Sequence, residues 1–233
     1  RGGGDRLYRR HAVTWAADRG EAQPEAAWLD RFRALLPPRA AMLDLGCGAG
    51  LPIARALIEA GHAVTGVDAA PEVIALCRAR FPTGDWRVAD MRGLDLGRAF
   101  DGVIAWDSVF HLDHADQRGM FAVFRRHAAP EAGLMFTSGP AHGVAIGSYG
   151  GEALFHASLD AAEYRALLAG NGFAVVAHRA EDRLRLAGSG EKVVAVALDV
   201  GYESEAAFDC AFKRLVGVPL ATCRRGRGAP GAG

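Results

Sequence analysis

From residue 42 onward, short apolar runs alternate with segments whose apolar residues recur at helical spacing. Residues 42–45, 62–68, 86–91, 100–107, 133–138 and 173–178 read as strands, and residues 51–58, 71–77, 117–127 and 159–168 as helices. This alternation predicts an α/β fold with a doubly wound, mostly parallel sheet. Upstream, Leu7, Tyr8, His11 and Trp15, then Trp28, Leu29, Phe32 and Leu36, continue a helical pattern that Pro37 and Pro38 end. Residues 1–40 are therefore expected to form a helical N-terminal segment, 41–180 the core, and 181–233 a C-terminal segment of different character. Residues 139–158 are glycine-rich, carry His142, Tyr149 and His156, and read as a long loop at the carboxyl edge of the sheet.

The first strand runs into Leu43-Asp44-Leu45-Gly46-Cys47-Gly48-Ala49-Gly50, with Leu51-Pro52-Ile53 opening the next helix. Glycines at alternate positions let the backbone take conformations closed to other residues and bring its N–H groups close to a ligand. Pro52 suits a first helical turn, where a missing N–H costs nothing. The unit is thus expected to be a nucleotide-type cofactor pocket at the carboxyl end of a strand. The dinucleotide fingerprint G-x-G-x-x-G does not fit, because its third glycine falls on Leu51. Asp68 ends the second strand, where a carboxylate can accept from both hydroxyls of a ribose, although Asp is equally suited to cap the following helix.

These motifs, in order and spacing, resemble those of class I S-adenosylmethionine-dependent methyltransferases over about residues 5 to 180. The resemblance implies S-adenosylmethionine as cofactor and a small-molecule acceptor methylated on O, N, S or C. It implies that Asp44, Gly46, Cys47, Gly48 and Gly50 wrap the amino-acid moiety and ribose. Asp68 and Ala69 would hold the ribose hydroxyls, Asp90 and Met91 would meet the adenine, and Trp106 would lie near the reacting methyl. The N-terminal segment would fold over the cofactor as a lid, with Tyr8 and Trp15 against it. Residues 139–158 would wall the acceptor pocket. His111, just after the fourth strand, is the leading candidate for a general base, with His142 and His156 behind it and His114 expected on the surface. Each of these histidines and aromatics has a plainer reading as a packing residue.

Composition narrows the field. The chain has 233 residues, half of them hydrophobic, and a formal net charge of zero, which suits one α/β domain and gives no basic footprint for nucleic acid. No apolar run approaches the roughly 18–20 residues a membrane span needs. Cys47, Cys77, Cys210 and Cys223 are scattered without a C-x-x-C pair, so neither a disulfide framework nor a zinc site is expected, and a cytoplasmic setting is the simplest. Cys47 is expected to be in the loop because it is small. No metal-ligand spacing stands out.

The tail allows two structures. Residues 192–198 could be a seventh, antiparallel strand. Alternatively, residues 193–219, with Gly201-Tyr202-Glu203-Ser204, Phe212-Lys213-Arg214 and Gly217-Val218-Pro219, resemble the second helix-turn-helix of AraC-type transcription regulators. Only one such unit is present, and Cys210 stands where that family usually carries Arg, so DNA binding is the second functional reading and nucleic acid an unexpected partner. A nicotinamide oxidoreductase with an unusual glycine loop is a third. The glycine-rich end, residues 226–233, is expected to be disordered.

Overall fold

In a computed structural model of the chain, the structure describes residues 26–139, 141–181 and 192–199, together with Thr14. Tyr8, Trp15, most of the expected helical lid, the helix-turn-helix-like residues 201–219 and the glycine-rich end lie outside the described residues.

After helix α1 (Ala26–Arg33), the apolar runs become strands β1 (Ala41–Leu45), β2 (Ala63–Asp68), β3 (Asp85–Val88), β4 (Phe100–Ala105) and β5 (Ala128–Ser138). Helices α2 (Ile53–Glu59), α3 (Pro71–Arg80) and α4 (His114–His127) connect them, with a 3-10 turn at Val109–His111 ahead of α4. A hairpin of β6 (Gly143–Tyr149) and β7 (Glu152–Ser158) follows, then α5 (Ala161–Gly170), β8 (Phe173–Glu181) and β9 (Lys192–Asp199). The main sheet has the order β3-β2-β1-β4-β5-β9-β8. Its pairings are parallel from β3 through β5, while β9 runs antiparallel to both β5 and β8. The doubly wound sheet is therefore as expected. The strand order reverses between β1 and β4, the switch point at whose carboxyl edge α/β proteins bind ligands.

Alternation along β1 divides the core. Met42 faces the layer of α1, α2 and α3, with Trp28, Phe32, Leu57 and Ile74. Leu43 and Leu45 face the layer of α4 and α5, with Phe121, Phe124, Tyr164 and Leu168. Two helical layers closing both faces explain why these strands read as continuous apolar runs.

Two open alternatives are decided and two expectations corrected. First, β9 pairs residue by residue with β5, from Gly133↔Leu198 to Ser138↔Val193, so residues 192–199 are the seventh strand and not the opening helix of a DNA-reading unit. A chain of Val and Ala satisfies either pattern locally. The open edge of β5, with Leu134, Met135 and Phe136 fully buried, decides between them. Second, residues 139–158 are not a loop. Tyr149 pairs with Glu152 across Gly150 and Gly151, both at positive φ (57° and 80°), the two-residue turn that closes a hairpin. Third, β3 ends at Val88, which leaves Asp90 and Met91 in the loop beyond it. Fourth, the N-cap position of the helix that starts at Pro71 is Ala70, which makes no side-chain cap, and Asp68 accepts from the Ala70 N–H instead.

Candidate active site

The glycine turn is strapped to the end of β2: the N–H groups of Gly46 and Cys47 both donate to Val67 O, at 2.8 and 3.1 Å. Gly46 (φ +75°) has no room for a side chain, because a Cβ there would stand 2.3 Å from Ser108 Cβ. Ser108 is itself buried and donates to Leu45 O at 2.8 Å, so it cannot give way. Gly50 (φ +77°) packs on the Phe81 ring, whereas Gly48 (φ +53°) has nothing within 4 Å of its Cβ position. The turn is thus closed behind and open on the Gly48 side.

Asp68 joins this turn to the next one. Its Oδ2 accepts from Gly48 N at 3.0 Å and its Oδ1 from Ala70 N at 2.9 Å. A carboxylate oxygen has two lone pairs, so one that accepts a backbone N–H can also accept a ligand hydroxyl. Ala69 lies half-buried between these anchors, and Asp44 is 2% exposed on β1. Cys47 points inward. A hydrogen bond with Cys77, burial and the Asp44 carboxylate raise its thiol well above the ordinary value, which leaves it protonated and a poor nucleophile. Cys77 donates to Gly48 O at 3.2 Å, so the two thiols brace the turn from behind.

Asp90 is paired within its own loop. Arg92 grips its carboxylate through Nε and Nη2 at 2.9 and 2.5 Å and also reaches Asp116 on α4 at 3.1 Å. The Arg92 guanidinium holds the Asp90 carboxyl below its usual range. Met91 lies over the turn, its Cε 3.2 Å from the Gly46 Cβ position. Trp106 is buried in the core layer facing α1, and its Nε1 meets no acceptor among the described residues. Sequence reasoning did not single out Arg92 or Ser108, because an exposed cation and a serine after a strand carry no pattern of their own.

Beyond β4 the acceptor side takes shape. Asp107 sits at φ 50°, its N–H donating to Thr137 Oγ1 at 2.7 Å, and this kink turns the chain towards the hairpin. The rings of Phe110, His111 and His156 form one cluster: His111 lies 4.6 Å from Phe110 and 4.9 Å from His156. His111 Nδ1 is 3.2 Å from Phe155 O, and since a carbonyl can only accept, Nδ1 carries the proton. His114 is half-buried against the hairpin, contrary to the surface position expected: its Nε2 meets Gly143 O at 3.0 Å and its ring stacks on His142 at 4.4 Å. Structure thus brings together Gly46, Gly48, Asp68 and Met91 on one side, and His111 and His156 on the other.

A cavity of about 310 Å³ lined by Arg39, His62 and Gly84 opens at the start of β2, the opposite edge, and takes in none of these groups. Among the described residues no cluster of three or more His, Cys, Asp or Glu is placed to hold a metal, and no helix is long and apolar enough to cross a membrane.

Residues 42–131 match the family model of a methyltransferase domain. A dTDP-3-amino-3,6-dideoxy-alpha-D-glucopyranose N,N-dimethyltransferase of Streptomyces fradiae is 34% identical over 94 residues, which cover 40% of this chain. The chain spans only about a third (36%) of that relative's length. Among solved structures, an S-adenosylmethionine-bound amino pentose methyltransferase of Micromonospora echinaspora is 25% identical, with a TM-score of 0.60 over 80% of this chain and 96% of its own. A 1,6-didemethyltoxoflavin-N1-methyltransferase of Burkholderia thailandensis shares the fold at a TM-score of 0.63 and 21% identity, over 83% of this chain and 84% of its own. Residues 42–131 are therefore similar to a methyltransferase domain, and the chain has the doubly wound fold of solved S-adenosylmethionine-dependent methyltransferases.

Proposed function

We propose that this chain transfers the methyl group of S-adenosylmethionine to the nitrogen of a small amine, an amino sugar being the acceptor class favoured. The observation that carries the reading is the Asp68 carboxylate holding Gly48 N–H at 3.0 Å beside the open side of the glycine turn. The amino-sugar acceptor rests on the activities of the Streptomyces and Micromonospora relatives. The residues present fit the cofactor: Asp68 retains lone pairs for a ribose diol, the space above Gly48 admits a ligand, and Met91 covers the turn.

When bound, S-adenosylmethionine supplies an already activated methyl carbon, so the protein has to orient the acceptor, exclude water and take up a proton. His111 is assigned that proton. Its Nδ1–H is engaged by Phe155 O, which turns the Nε2 lone pair into the basic position. An ammonium acceptor loses its proton to Nε2, and the freed nitrogen lone pair is the nucleophile. Asp68, Ala69, Asp44 and the glycine turn hold the cofactor, with Met91 and Trp106 flanking it. Asp90 acts on the adenine side through its pair with Arg92.

Titration calorimetry with S-adenosylhomocysteine, and methyl transfer from labelled S-adenosylmethionine to dTDP-3-amino-3,6-dideoxyglucose and to its free amino sugar, test the proposal. Binding that weakens in Asp68→Ala supports it. Folded protein that binds no S-adenosylhomocysteine, or an Asp68→Ala variant of unchanged affinity, overturns it.

A further inference from the structure

The two imidazoles on the acceptor side come from different parts of the fold. His111 ends the 3-10 turn after β4, and His156 lies on β7 of the hairpin, which is not hydrogen-bonded into the main sheet. Nothing in the strand ladder fixes their 4.9 Å spacing. Besides the contact of His111 Nδ1 with Phe155 O, a buried side chain spans the gap. Gln117 of α4, 0% exposed, donates through Nε2 to Leu112 O and to Ala157 O, both at 2.9 Å. Leu112 and Ala157 are the residues that directly follow His111 and His156. Because both contacts are carbonyls, Gln117 has only one orientation, with Oε1 turned to Tyr164 of α5, whose hydroxyl donates to it at 2.6 Å. The same hydroxyl accepts from Leu159 N at 3.2 Å and touches Ser158 Oγ, also at 3.2 Å. Ser158 Oγ also lies 3.1 Å from Gly139 O, where the chain leaves β5, and 3.0 Å from Leu159 O, and its one proton serves a single acceptor at a time. The end of β7 is thus tied to a buried polar group on α4 and α5.

We infer that Gln117 and Tyr164 are positioning residues that set the spacing of His111 and His156 on the acceptor side of the site. The assignment rests on the proposed role of His111, and goes beyond it by naming what holds that histidine. A buried amide whose donors and acceptor are all engaged is a rigid three-way joint, and removing one member leaves the others unsatisfied in a low-dielectric interior. For packing alone an apolar side chain would serve at position 117, since Met120, Phe121 and Phe124 fill the same helix face.

Tyr164→Phe keeps the ring against Phe121 and Phe136 and removes only the hydroxyl. Expected are an unchanged affinity for S-adenosylhomocysteine and a kcat/KM for the amino-sugar acceptor lower by about tenfold or more, carried mainly by kcat. Imidazole nitrogen NMR, with signals assigned through H111Q and H156Q, supplies a readout independent of turnover. His111 and His156 are expected to shift or broaden in Tyr164→Phe, while the distant His62 is unmoved. Ser158→Ala, a milder cut in the same network, is expected to move the same signals less, and stands in if Tyr164→Phe does not fold. Unchanged imidazole signals, or a loss of S-adenosylhomocysteine affinity in proportion to turnover, would overturn the inference. Failure of wild-type protein to bind S-adenosylhomocysteine would instead defeat the methyltransferase reading, while leaving the NMR prediction standing.

Discussion

At the scale of single residues, the glycine turn separates two demands that look alike in sequence. Gly46 is required by crowding as well as by φ: in Gly46→Ala the new Cβ meets buried Ser108, so the backbone itself has to move. Gly48 is required by φ alone, since its Cβ position is open. Gly46→Ala is therefore expected to lower stability by more than the about 1–2 kcal/mol of a left-handed alanine, and Gly48→Ala by about that much. Gly48→Ala is nonetheless expected to weaken S-adenosylhomocysteine binding, because its methyl group projects where a ligand would lie. Urea unfolding read beside calorimetry separates the two. Asp90 gives a pH-dependent case. Its folded pKa lies below the unfolded carboxylate value of about 3.9, so the Arg92 pair stabilises the fold above that value and the contribution is lost as pH falls towards the folded pKa. The carboxylate is 46% exposed, so solvent screening keeps the effect small. Melting temperatures of Asp90→Asn and wild type are expected to differ at pH 5 and above, and the difference to shrink as pH falls below about 3.9.

At the scale of elements, the hairpin shows how local chemistry builds the wall proposed for the acceptor. Gly150 and Gly151 supply the two positive φ angles, and β6 and β7 then align Gly143 with Ser158 through Tyr149 with Glu152. Nothing lies within 4 Å of the Gly151 Cβ position, so Gly151→Ala strains the backbone without a clash. It is expected to cost about 1–2 kcal/mol of stability and to impair acceptor turnover while sparing S-adenosylhomocysteine affinity. Equal losses in both would show that the hairpin serves the cofactor instead. The hairpin was legible as a Gly-Gly pair between alternating residues, yet the surrounding glycines made it read as loop. β6 also leaves Val144 and Ile146 57% and 63% exposed, which blurs the usual inside-outside pattern of a strand.

At the scale of the whole molecule, β9 completes the sheet by entering between β5 and β8. Without it the main-chain groups of β5, whose side chains are buried on both faces, lose their partners along one edge. A chain ending at residue 191 is accordingly expected to aggregate or to melt well below the full chain, as light scattering and thermal unfolding would reveal. A soluble, equally stable truncation would show that the sheet does not depend on this strand.

What the amino-acid order determined by itself was local and repetitive: the alternation of strands and helices, the glycine turn after β1, and the acid at the end of β2. Each follows from backbone sterics or from a period of apolar residues, which neighbours in sequence are enough to express. Tertiary structure decided the rest. Whether residues 192–199 form helix or strand was settled by the open edge of β5, and the partner of Asp90 is Arg92, whose guanidinium also reaches α4. The joint at Gln117 has no sequence pattern, because its partners at 112, 157 and 164 meet only when three separate elements pack together. A contact that depends on long-range packing leaves no periodic trace along the chain.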